Sequence, residues 1–257
     1  MSTNRYKILN TYVNALSMEE TVFEVEKIIE DRKPTQHVVI NASKINLMRK
    51  DNRLREIVNV CPLINADGAS IVWAAKLLGV PLKERVTGVD LFLRLLTLSN
   101  QKGYRIYLFG SKEEVIKKAK ENIENSYPDI KIVGYRNGYF SDEDNDSIVH
   151  NMATSGADIL FVGFSSPKKE YWINKNIDRL NIPFVMGIGG TYDYMAGNTK
   201  RAPKWFQTHG LEWVYRLAQE PRRMWKRYAI GNFSFILFTL RTTVYQKINK
   251  KRREGNV

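Results

Sequence analysis

The segment RIYLFGSKEEVIKKAKENIENS, residues 105–126, gives the clearest indication of the fold. Residues 105–110 are predicted as a strand, because the consecutive apolar residues 106–109 are typical of a strand buried on both faces of a parallel sheet. Gly110 follows, and residues 112–126 then have the spacing of an amphipathic helix. A short buried strand that runs through a glycine into a helix predicts a sheet covered by helices.

Strand and helix patterns of this kind alternate along residues 1–199. Ser17 and Glu20 form a capping box at the start of the first predicted helix. The alternation predicts an α/β fold with a doubly wound parallel sheet, in which ligands bind at the carboxyl ends of the strands. The other predicted strands are residues 37–41, 130–135, 158–164 and 182–190. The other predicted helices are residues 18–31, 42–51, 68–79, 88–101, 142–154 and 168–178.

The formal net charge of +13 is concentrated at one end of the chain. Residues 200–257 contain 14 Lys and Arg against three Glu, whereas residues 1–199 contain 26 Lys and Arg against 24 Asp and Glu. This distribution indicates a nearly neutral body with a basic segment that meets an acidic surface. We therefore expect an α/β domain over residues 1–199 and a basic appendage over residues 200–257.

The composition excludes several classes of protein. The 257 residues are 43% hydrophobic and 26% charged, which is typical of a globular protein. Cys61 is the single cysteine, so we expect a reducing cytoplasm and neither a disulfide framework nor a cysteine-rich metal site. The first 20 residues lack the apolar core of a secretory signal. The longest apolar run, residues 228–240, is too short to span a bilayer.

The residues that follow the predicted strands carry the candidate chemistry. In LINADGAS, residues 63–70, Asp67 comes after an apolar run and before a glycine and a predicted helix. An aspartate in this place could be a turn or capping residue, or a partly desolvated carboxylate that acts as a general base. The local sequence leaves both interpretations open.

Together with the Asp67 loop, two further glycine-containing loops favour a nucleotide-type pocket on the same sheet edge. Gly110 and Ser111 join a strand to a helix whose N-terminus suits a phosphate group. Gly189 and Gly190 follow the last predicted strand and allow a ligand to approach the backbone closely. Neither loop matches a dinucleotide-binding or Walker motif, and no cofactor is predicted.

No metal site is predicted. His37, His150 and His209 are widely spaced along the chain. The acidic run SDEDNDS, residues 141–147, suits a helix start capped by Ser141 better than a calcium loop. A pocket for a nucleotide diphosphate must then neutralise its ligand with cationic side chains and helix N-termini. The available cations are Arg85, Lys168, Lys169 and residues of the basic appendage.

Together these motifs resemble the bacterial WecG/TagA/CpsF glycosyltransferase family. The matching segments occur in the family's order over roughly residues 6 to 233. They are NADGAS, ERVTGVDL, YLFGSKEEV, GYF, VGFSSPKKEYWI, GIGGTYDYMAGNTKRAPKW and GLEWVYRLAQEPRRMWKRY. The resemblance implies a Rossmann-like α/β core with a nucleotide-sugar site and a basic helical C-terminal appendage.

The resemblance also implies an activity. Such enzymes carry out a metal-independent, inverting transfer of a sugar from a UDP-sugar to a polyprenyl-diphosphate-linked sugar. The best-known sugars are N-acetylmannosamine and its uronic acid. The products belong to teichoic-acid, capsule or other cell-surface polysaccharide synthesis at the cytoplasmic membrane face.

The resemblance assigns roles to residues of the α/β domain. Asp67 falls on the family's proposed catalytic base, and Arg85 falls on an arginine suited to diphosphate charge. Tyr139 and Asp193 fall on positions that contact the nucleotide. The remaining residues assigned to substrate binding are Asn41, Gly110, Ser111, Lys169, Gly189 and Gly190.

Three positions depart from the family pattern. Val39 stands in place of a threonine two residues before Asn41, and Ser165 stands in place of a glycine. Lys169 replaces a glutamine, and a cation there could serve a carboxylated sugar or help to neutralise the diphosphate. These changes leave the reaction class intact but leave the donor, the acceptor and the pathway open.

The appendage is predicted to bind a lipid diphosphate and an anionic membrane surface, which implies a peripheral location on the inner face of the plasma membrane. Pro221 suits the first position of a helix and would place Arg222 and Arg223 beside free backbone N–H groups. Arginine is unfavourable there unless an external anion is bound. The three tryptophans of residues 201–228 also favour a membrane interface. The predicted acceptor and membrane residues are Arg216, Arg222, Arg223, Lys226 and Arg227.

Alternatives of other classes stay open. A cytoplasmic nucleotide-sugar enzyme with a soluble product would leave the basic appendage unexplained. A non-enzymatic nucleic-acid- or membrane-binding protein would account for basic residues among aromatics. However, no RRM, OB or helix-turn-helix signature accompanies them, so no nucleic acid is expected as a partner. The oligomeric state is also open, and the resemblance implies one possibility, a homo-oligomer whose self-associating core dissociates on the membrane.

Overall fold

The structure is a computed structural model that describes residues 4–254. Side chains are described throughout that range except at positions 223, 224, 226–228, 250, 251, 253 and 254. The strands are β1 (Arg5–Ile8), β2 (Thr11–Asn14), β3 (Thr35–Ile40), β4 (Leu63–Ala66), β5 (Arg105–Gly110), β6 (Lys131–Arg136), β7 (Ile159–Gly163) and β8 (Phe184–Gly187). The helices are α1 (Met18–Asp31), α2 (Ala42–Lys50), α3 (Asn52–Val60), α4 (Ala69–Leu78), α5 (Gly88–Lys102), α6 (Glu113–Ser126), α7 (Asn145–Thr154), α8 (Lys168–Leu180), α9 (Thr191–Met195), α10 (Lys204–Thr208), α11 (Glu212–Gln219) and α12 (Pro221–Glu254).

Strands β3 to β8 form one parallel sheet in the order β4-β3-β8-β7-β5-β6. The central strands are buried on both faces, as their consecutive apolar residues predict. In β7, Ile159 and Phe161 belong to one hydrophobic core cluster. Leu160 and Val162 belong to another cluster on the opposite face. The predicted α/β fold with a parallel sheet flanked by helices is confirmed.

The carboxyl ends of the parallel strands lie on one edge of the sheet. Along this edge the order is Asp67 after β4, Asn41 after β3, residues 188–190 after β8, residues 164–167 after β7, and Ser111 after β5. Neighbouring strands are about 4.8 Å apart, so the first and last of these positions are separated by about 19 Å. The candidate residues are therefore spread along the edge and not gathered at one point.

The starts of two helices test the capping predictions. In α1 the Ser17 hydroxyl accepts a hydrogen bond from Glu20 N, and the Glu20 carboxylate accepts one from Ser17 N, which confirms the capping box. The prediction that Ser141 caps the acidic helix is wrong, because α7 begins at Asn145 with Asp144 at its N-cap. Ser141 exchanges hydrogen bonds with Asp144 and so closes a turn before the helix.

The sequence patterns do not predict two elements near the N-terminus. Strands β1 and β2 form a short antiparallel hairpin beside β4, where Asn14 Oδ1 accepts a hydrogen bond from Ile64 N at 2.8 Å. Helix α3 follows α2 with only Asp51 between them, and the Asp51 side chain caps α3 at Leu54 N. A single capping residue between two short helices provides no glycine or proline signal.

The basic C-terminal part is helical and contacts the α/β body. Helix α12 begins at Pro221, as predicted. It packs against α2, where Asn46 Nδ2 donates to the Gly231 carbonyl at 2.7 Å. Phe235 is buried in a core cluster with residues of α2 and α4. Within residues 4–254, no helix is long and apolar enough to cross a membrane.

Candidate active site

Asp67 and Asn41 lie side by side at the ends of β4 and β3. The Asp67 N–H donates to the Ile40 carbonyl at 2.8 Å, which continues the hydrogen bonding between the two strands. Asn41 is the N-cap of α2, and its Oδ1 accepts a hydrogen bond from Lys44 N at 3.0 Å. An ionised carboxylate only accepts hydrogen bonds, so the amide nitrogen is the end of Asn41 that donates to Asp67. A predicted catalytic residue and a predicted binding residue are thus in contact.

The surroundings of Asp67 make it a stronger base than an exposed aspartate. Burial raises the pKa of its carboxyl above the usual range. The charges of Arg216, Arg85 and Lys44 and the hydrogen bond from the neighbouring amide act in the opposite direction, but burial outweighs them. Asp67 is still partly exposed at the sheet edge. A carboxylate in this setting can take a proton from a bound hydroxyl group.

Arg85 connects the loop before α5 to the C-terminal helices. Its guanidinium lies 3.5 Å from the Glu212 carboxylate and donates to the Gln207 carbonyl at 3.3 Å. These contacts hold α10 and α11 beside the loop, and Arg216 of α11 is close enough to affect the Asp67 carboxyl. The predicted diphosphate-binding arginine therefore has a protein carboxylate as its partner in this structure.

A cavity of about 360 Å³ brings together three of the predicted nucleotide-binding residues. Tyr139 is 70% exposed, so its ring is available to stack on a planar ligand. The cavity lies at the N-terminus of α6, where Lys112 at the N-cap makes no side-chain capping hydrogen bond. The lining residues are Ser111, Lys112, Glu114, Val115, Tyr139, Asp193 and Asn198.

Gly110 allows β5 to turn into this cavity. Its φ is +122°, and a Cβ added there would lie 2.7 Å from the backbone nitrogen of Gly163 on β7. Ser111, the next residue, also has a positive φ of 59°. Sparsely populated backbone conformations of this kind often mark ligand sites.

Lys169 lies between the ends of β7 and β8. Its side chain runs along Gly187, where an added Cβ would be 2.8 Å from Lys169 Cδ. Its ammonium lies 3.8 Å from the Glu170 carboxylate and 3.8 Å from the Cβ position of Gly189. Gly190 is the N-cap of the short helix α9 in the same loop. The structure thus brings the predicted residues of the β7 and β8 loops together.

A buried ion pair beneath these loops was not predicted from the sequence. Lys44 Nζ lies 2.6 Å from Glu170 Oε1, and the two side chains are only 4% and 1% exposed. Ser166 Oγ donates to the same oxygen at 3.0 Å. Burial opposes ionisation of Glu170, but the charges of Lys44 and Lys169 outweigh it and lower the pKa of the carboxyl. The two partners are 126 positions apart, so no local pattern joins them.

His37 is a buried residue of β3. Its Nε2 lies 2.9 Å from Asn65 Oδ1, while Asn65 Nδ2 donates to Thr21 Oγ1. Burial lowers the pKa of His37 to about 4, so the ring is neutral near pH 7. Among the described residues, no group of three or more His, Cys, Asp or Glu side chains is arranged to hold a metal ion.

The basic residues predicted in the appendage are only partly described. Arg216 is exposed on α11, and Arg222 is exposed in the first turn of α12. The side chains of Arg223, Lys226 and Arg227 lie outside the described residues.

Comparison with known proteins identifies the family. Residues 6–249 match the sequence model of the glycosyl transferase WecG/TagA/CpsF family. The chain belongs to the WecG/TagA/CpsF family. It is 35% identical over 175 residues to the N-acetylglucosaminyldiphosphoundecaprenol N-acetyl-beta-D-mannosaminyltransferase of Bacillus spizizenii. This alignment covers 68% of the chain and 67% of the relative.

Membership of the WecG/TagA/CpsF family makes the protein a glycosyltransferase, as the motifs predict. The family match runs from β1 into α12, so it includes both the strand ends and the basic helices. The structure brings Asp67 into contact with Asn41, and Ser111 into one cavity with Tyr139 and Asp193. The roles of these individual residues stay predictions.

Proposed function

We propose that the protein transfers N-acetylmannosamine or a related sugar from a UDP-sugar to a sugar carried on a polyprenyl diphosphate. Family membership and the printed activity of the Bacillus relative support this substrate class. The observation that carries the proposed mechanism is the position of Asp67. It is a partly exposed carboxylate with a raised pKa at a strand end, close to Asn41 and to the guanidinium groups of Arg85 and Arg216.

The order of the strand ends supports one placement of the donor. In this placement, the nucleotide occupies the cavity of Ser111, Tyr139 and Asp193 at the end of β5. The diphosphate crosses the ends of β7 and β8 beside Lys169, and the sugar reaches Asp67. An extended UDP-sugar that lies along the edge would span the distance of about 19 Å from the cavity to Asp67.

The proposed reaction is a direct displacement. The Asp67 carboxylate takes the proton of an acceptor hydroxyl while that oxygen attacks the anomeric carbon of the donor. The bond from this carbon to UDP breaks, and its electron pair leaves on the β-phosphate oxygen. Attack from the face opposite UDP inverts the anomeric configuration.

Protein groups supply the positive charge in this mechanism. In this placement Lys169 and the first N–H groups of α6 would contact the UDP phosphates, and Arg216 and Arg222 would contact the diphosphate of the acceptor. Transfer by this mechanism is independent of added metal, so activity is expected to persist in EDTA.

We propose further that the C-terminal helices bind the cytoplasmic face of the membrane. Trp205, Trp213 and Trp225 are exposed, and so are Ile230 and Phe233 of α12. Exposed aromatic and apolar residues beside basic ones are typical of helices that lie in the membrane interface. Such a location would bring a lipid-linked acceptor to Asp67.

A transfer assay tests the proposed function. The full chain is incubated with a series of UDP-sugars and with vesicles that contain undecaprenyl-diphosphate-linked N-acetylglucosamine, with and without EDTA. We expect UDP release that requires the lipid acceptor, and a lipid product heavier by one sugar residue in mass spectrometry. Absence of a lipid product with every donor would overturn the proposal. Conversion of a UDP-sugar to a free product without the lipid would favour a nucleotide-sugar enzyme instead.

A further inference from the structure

The buried ion pair of Lys44 and Glu170 is connected to Asp67 through one residue. Lys44 lies in the first turn of α2, and its backbone N–H donates to Asn41 Oδ1 at 3.0 Å. Its ammonium group, at the other end of the same residue, lies 2.6 Å from Glu170 on α8. Asn41 in turn hydrogen-bonds Asp67. Lys44 therefore connects α8 to the amide that contacts the candidate base.

The hydrogen bond from Lys44 N determines which end of the Asn41 amide faces the carboxylate. An amide group can present either its oxygen or its NH₂ group to a neighbour, and the oxygen would repel a carboxylate. Because the first turn of α2 occupies Oδ1, the NH₂ group is directed to Asp67. A shift of this turn would free the amide to rotate and would loosen the orientation of the base.

Stability alone does not explain a buried ion pair in this place. The cost of removing two charges from water can exceed their attraction, and apolar residues of similar volume often stabilise a protein at least as well. Glu170 also accepts a hydrogen bond from Ser166 at 3.0 Å and lies 3.8 Å from Lys169. The pair thus ties the loop after β7 to the first turn of α2.

We propose that Lys44 and Glu170 are positioning residues of the transferase site, whose ion pair fixes the first turn of α2 against α8 and so holds Asn41 in the orientation that Asp67 needs. This inference rests on the proposed function of Asp67 as the general base. Neither residue contacts the reacting atoms in the proposed mechanism, and both act through Asn41.

The charges that face Asp67 determine in which direction its pKa should change when Lys44 is replaced. They are the guanidinium groups of Arg216 and Arg85 and the ammonium of Lys44, and each lowers the pKa of the carboxyl. Loss of the Lys44 charge, with both arginines and Glu170 retained, is expected to raise that pKa further. Burial lowers the pKa of His37 to about 4 and the Lys44 charge lowers it as well, so the ring is neutral above about pH 5 and the titration is compared there.

The test is Lys44→Met, a replacement of similar size that removes the ammonium group but keeps Glu170 and the backbone N–H that donates to Asn41. The Asp67 carboxyl is titrated by ¹³C NMR, with its signal assigned by Asp67→Asn, and kcat/KM is measured against pH. We expect the Asp67 pKa to rise, the acid limb of kcat/KM to move to higher pH, and kcat to fall about 10- to 100-fold. The dissociation constant of UDP should stay unchanged.

Further variants separate positioning from a loss of stability. Asp158→Asn breaks ion pairs with Arg32 and Arg105 at the opposite sheet edge, so it should lower Tm without moving the Asp67 titration. Lys44→Arg keeps the ion pair and should restore the wild-type pH profile. If Lys44→Met does not fold, Lys44→Gln gives the same readout, because it also removes the charge while its amide can still donate to Glu170, which Lys169 still faces.

A folded variant without the Lys44 charge whose Asp67 titration and pH profile match the wild type would overturn the inference. The NMR titration needs no substrate, so it decides the positioning role even if the wild-type protein transfers no sugar. In that case only the proposed function fails. A normal transfer activity with an unshifted titration would remove the inference and leave the proposed function intact.

Discussion

At the scale of single residues, the surroundings of Asp67 determine how transfer should depend on pH. The carboxyl must be ionised to accept a proton, and burial raises its pKa. Activity should therefore fall as the pH decreases through this raised pKa, and the loss should begin at a higher pH than for an exposed aspartate. Measurement of kcat/KM between about pH 4 and pH 9 checks this. An acid limb within or below the usual aspartate range would contradict it.

Replacement of Lys169 should alter the affinity for the donor or the preference among UDP-sugars. Its ammonium lies among the β7 and β8 loops, where the family has a glutamine, so Lys169→Gln removes a charge and restores an amide. We expect KM for the donor to rise roughly tenfold, or the preference among UDP-sugars to change. Lys175→Gln is the matched control, because Lys175 is exposed on the same helix, α8, and has no predicted role in the site. Identical kinetics for Lys169→Gln with every UDP-sugar would show that the replacement is incidental.

Residues at strand ends could be predicted from the sequence, whereas residues joined across the fold could not. Asp67 and Ser111 directly follow apolar runs, and the topology of a parallel sheet places such residues on one edge. Lys44 and Glu170 are 126 positions apart, and only the order β3-β8-β7 brings α2 beside α8. Their ion pair could therefore be identified only from the three-dimensional structure.

At the scale of elements, a substitution that adds one methyl group tests whether the turn from β5 into α6 needs a glycine. Gly110→Ala places a Cβ against the backbone of Gly163, which cannot move aside as a flexible side chain could. We expect a loss of about 2 kcal/mol or more in the free energy of unfolding, with weaker UDP binding. Gly79→Ala is the control, because Gly79 also has a positive φ but no atom within 4 Å of the added Cβ.

Calorimetry of UDP binding together with thermal unfolding separates the two effects. Gly79→Ala should lose stability from backbone strain alone and bind UDP normally. Wild-type UDP affinity in a folded Gly110→Ala variant would contradict a nucleotide site at the end of β5.

The regular α/β elements could be predicted closely, while short or irregular ones could not. Strand β5 has the predicted bounds, because its buried residues are consecutive and Gly110 ends it. The hairpin of β1 and β2 has four residues in each strand, too few to show alternation. Helix α12 carries apolar residues on more than one side, since Phe235 is buried whereas Phe233 is exposed. Its start at Pro221 was therefore predictable, but its extent was not.

At the scale of the whole molecule, the C-terminal helices contribute both to the fold and to the proposed membrane surface. Arg201 of the segment before α10 pairs with Asp90 of α5 at 2.5 Å. Phe235 is part of the core. Deletion of residues 200–257 would thus expose core residues and disturb Asp67 as well, so point variants test membrane binding more cleanly.

Ile230 and Phe233 of α12 are 61% and 64% exposed, so their replacement should leave the core unchanged. We expect Ile230→Ser with Phe233→Ser to reduce binding to anionic liposomes at least about tenfold in flotation, because apolar area inserted into the interface is lost. Val60→Ser, at an exposed position on α3, is the control. Unchanged flotation of the double variant, or binding to single-stranded DNA at physiological salt, would contradict the membrane assignment.

Asp67→Asn tests the central claim most directly, because the amide has nearly the same size but cannot accept the proton. With UDP-N-acetylmannosamine and lipid-linked N-acetylglucosamine, we expect transfer to fall by about 100-fold or more while UDP binds as in the wild type. Tm near pH 7 should not fall, since the raised pKa of Asp67 means that its ionisation opposes folding, and the amide carries no charge. Turnover within a few-fold of the wild type would contradict the assignment of Asp67 as the base and the mechanism that depends on it.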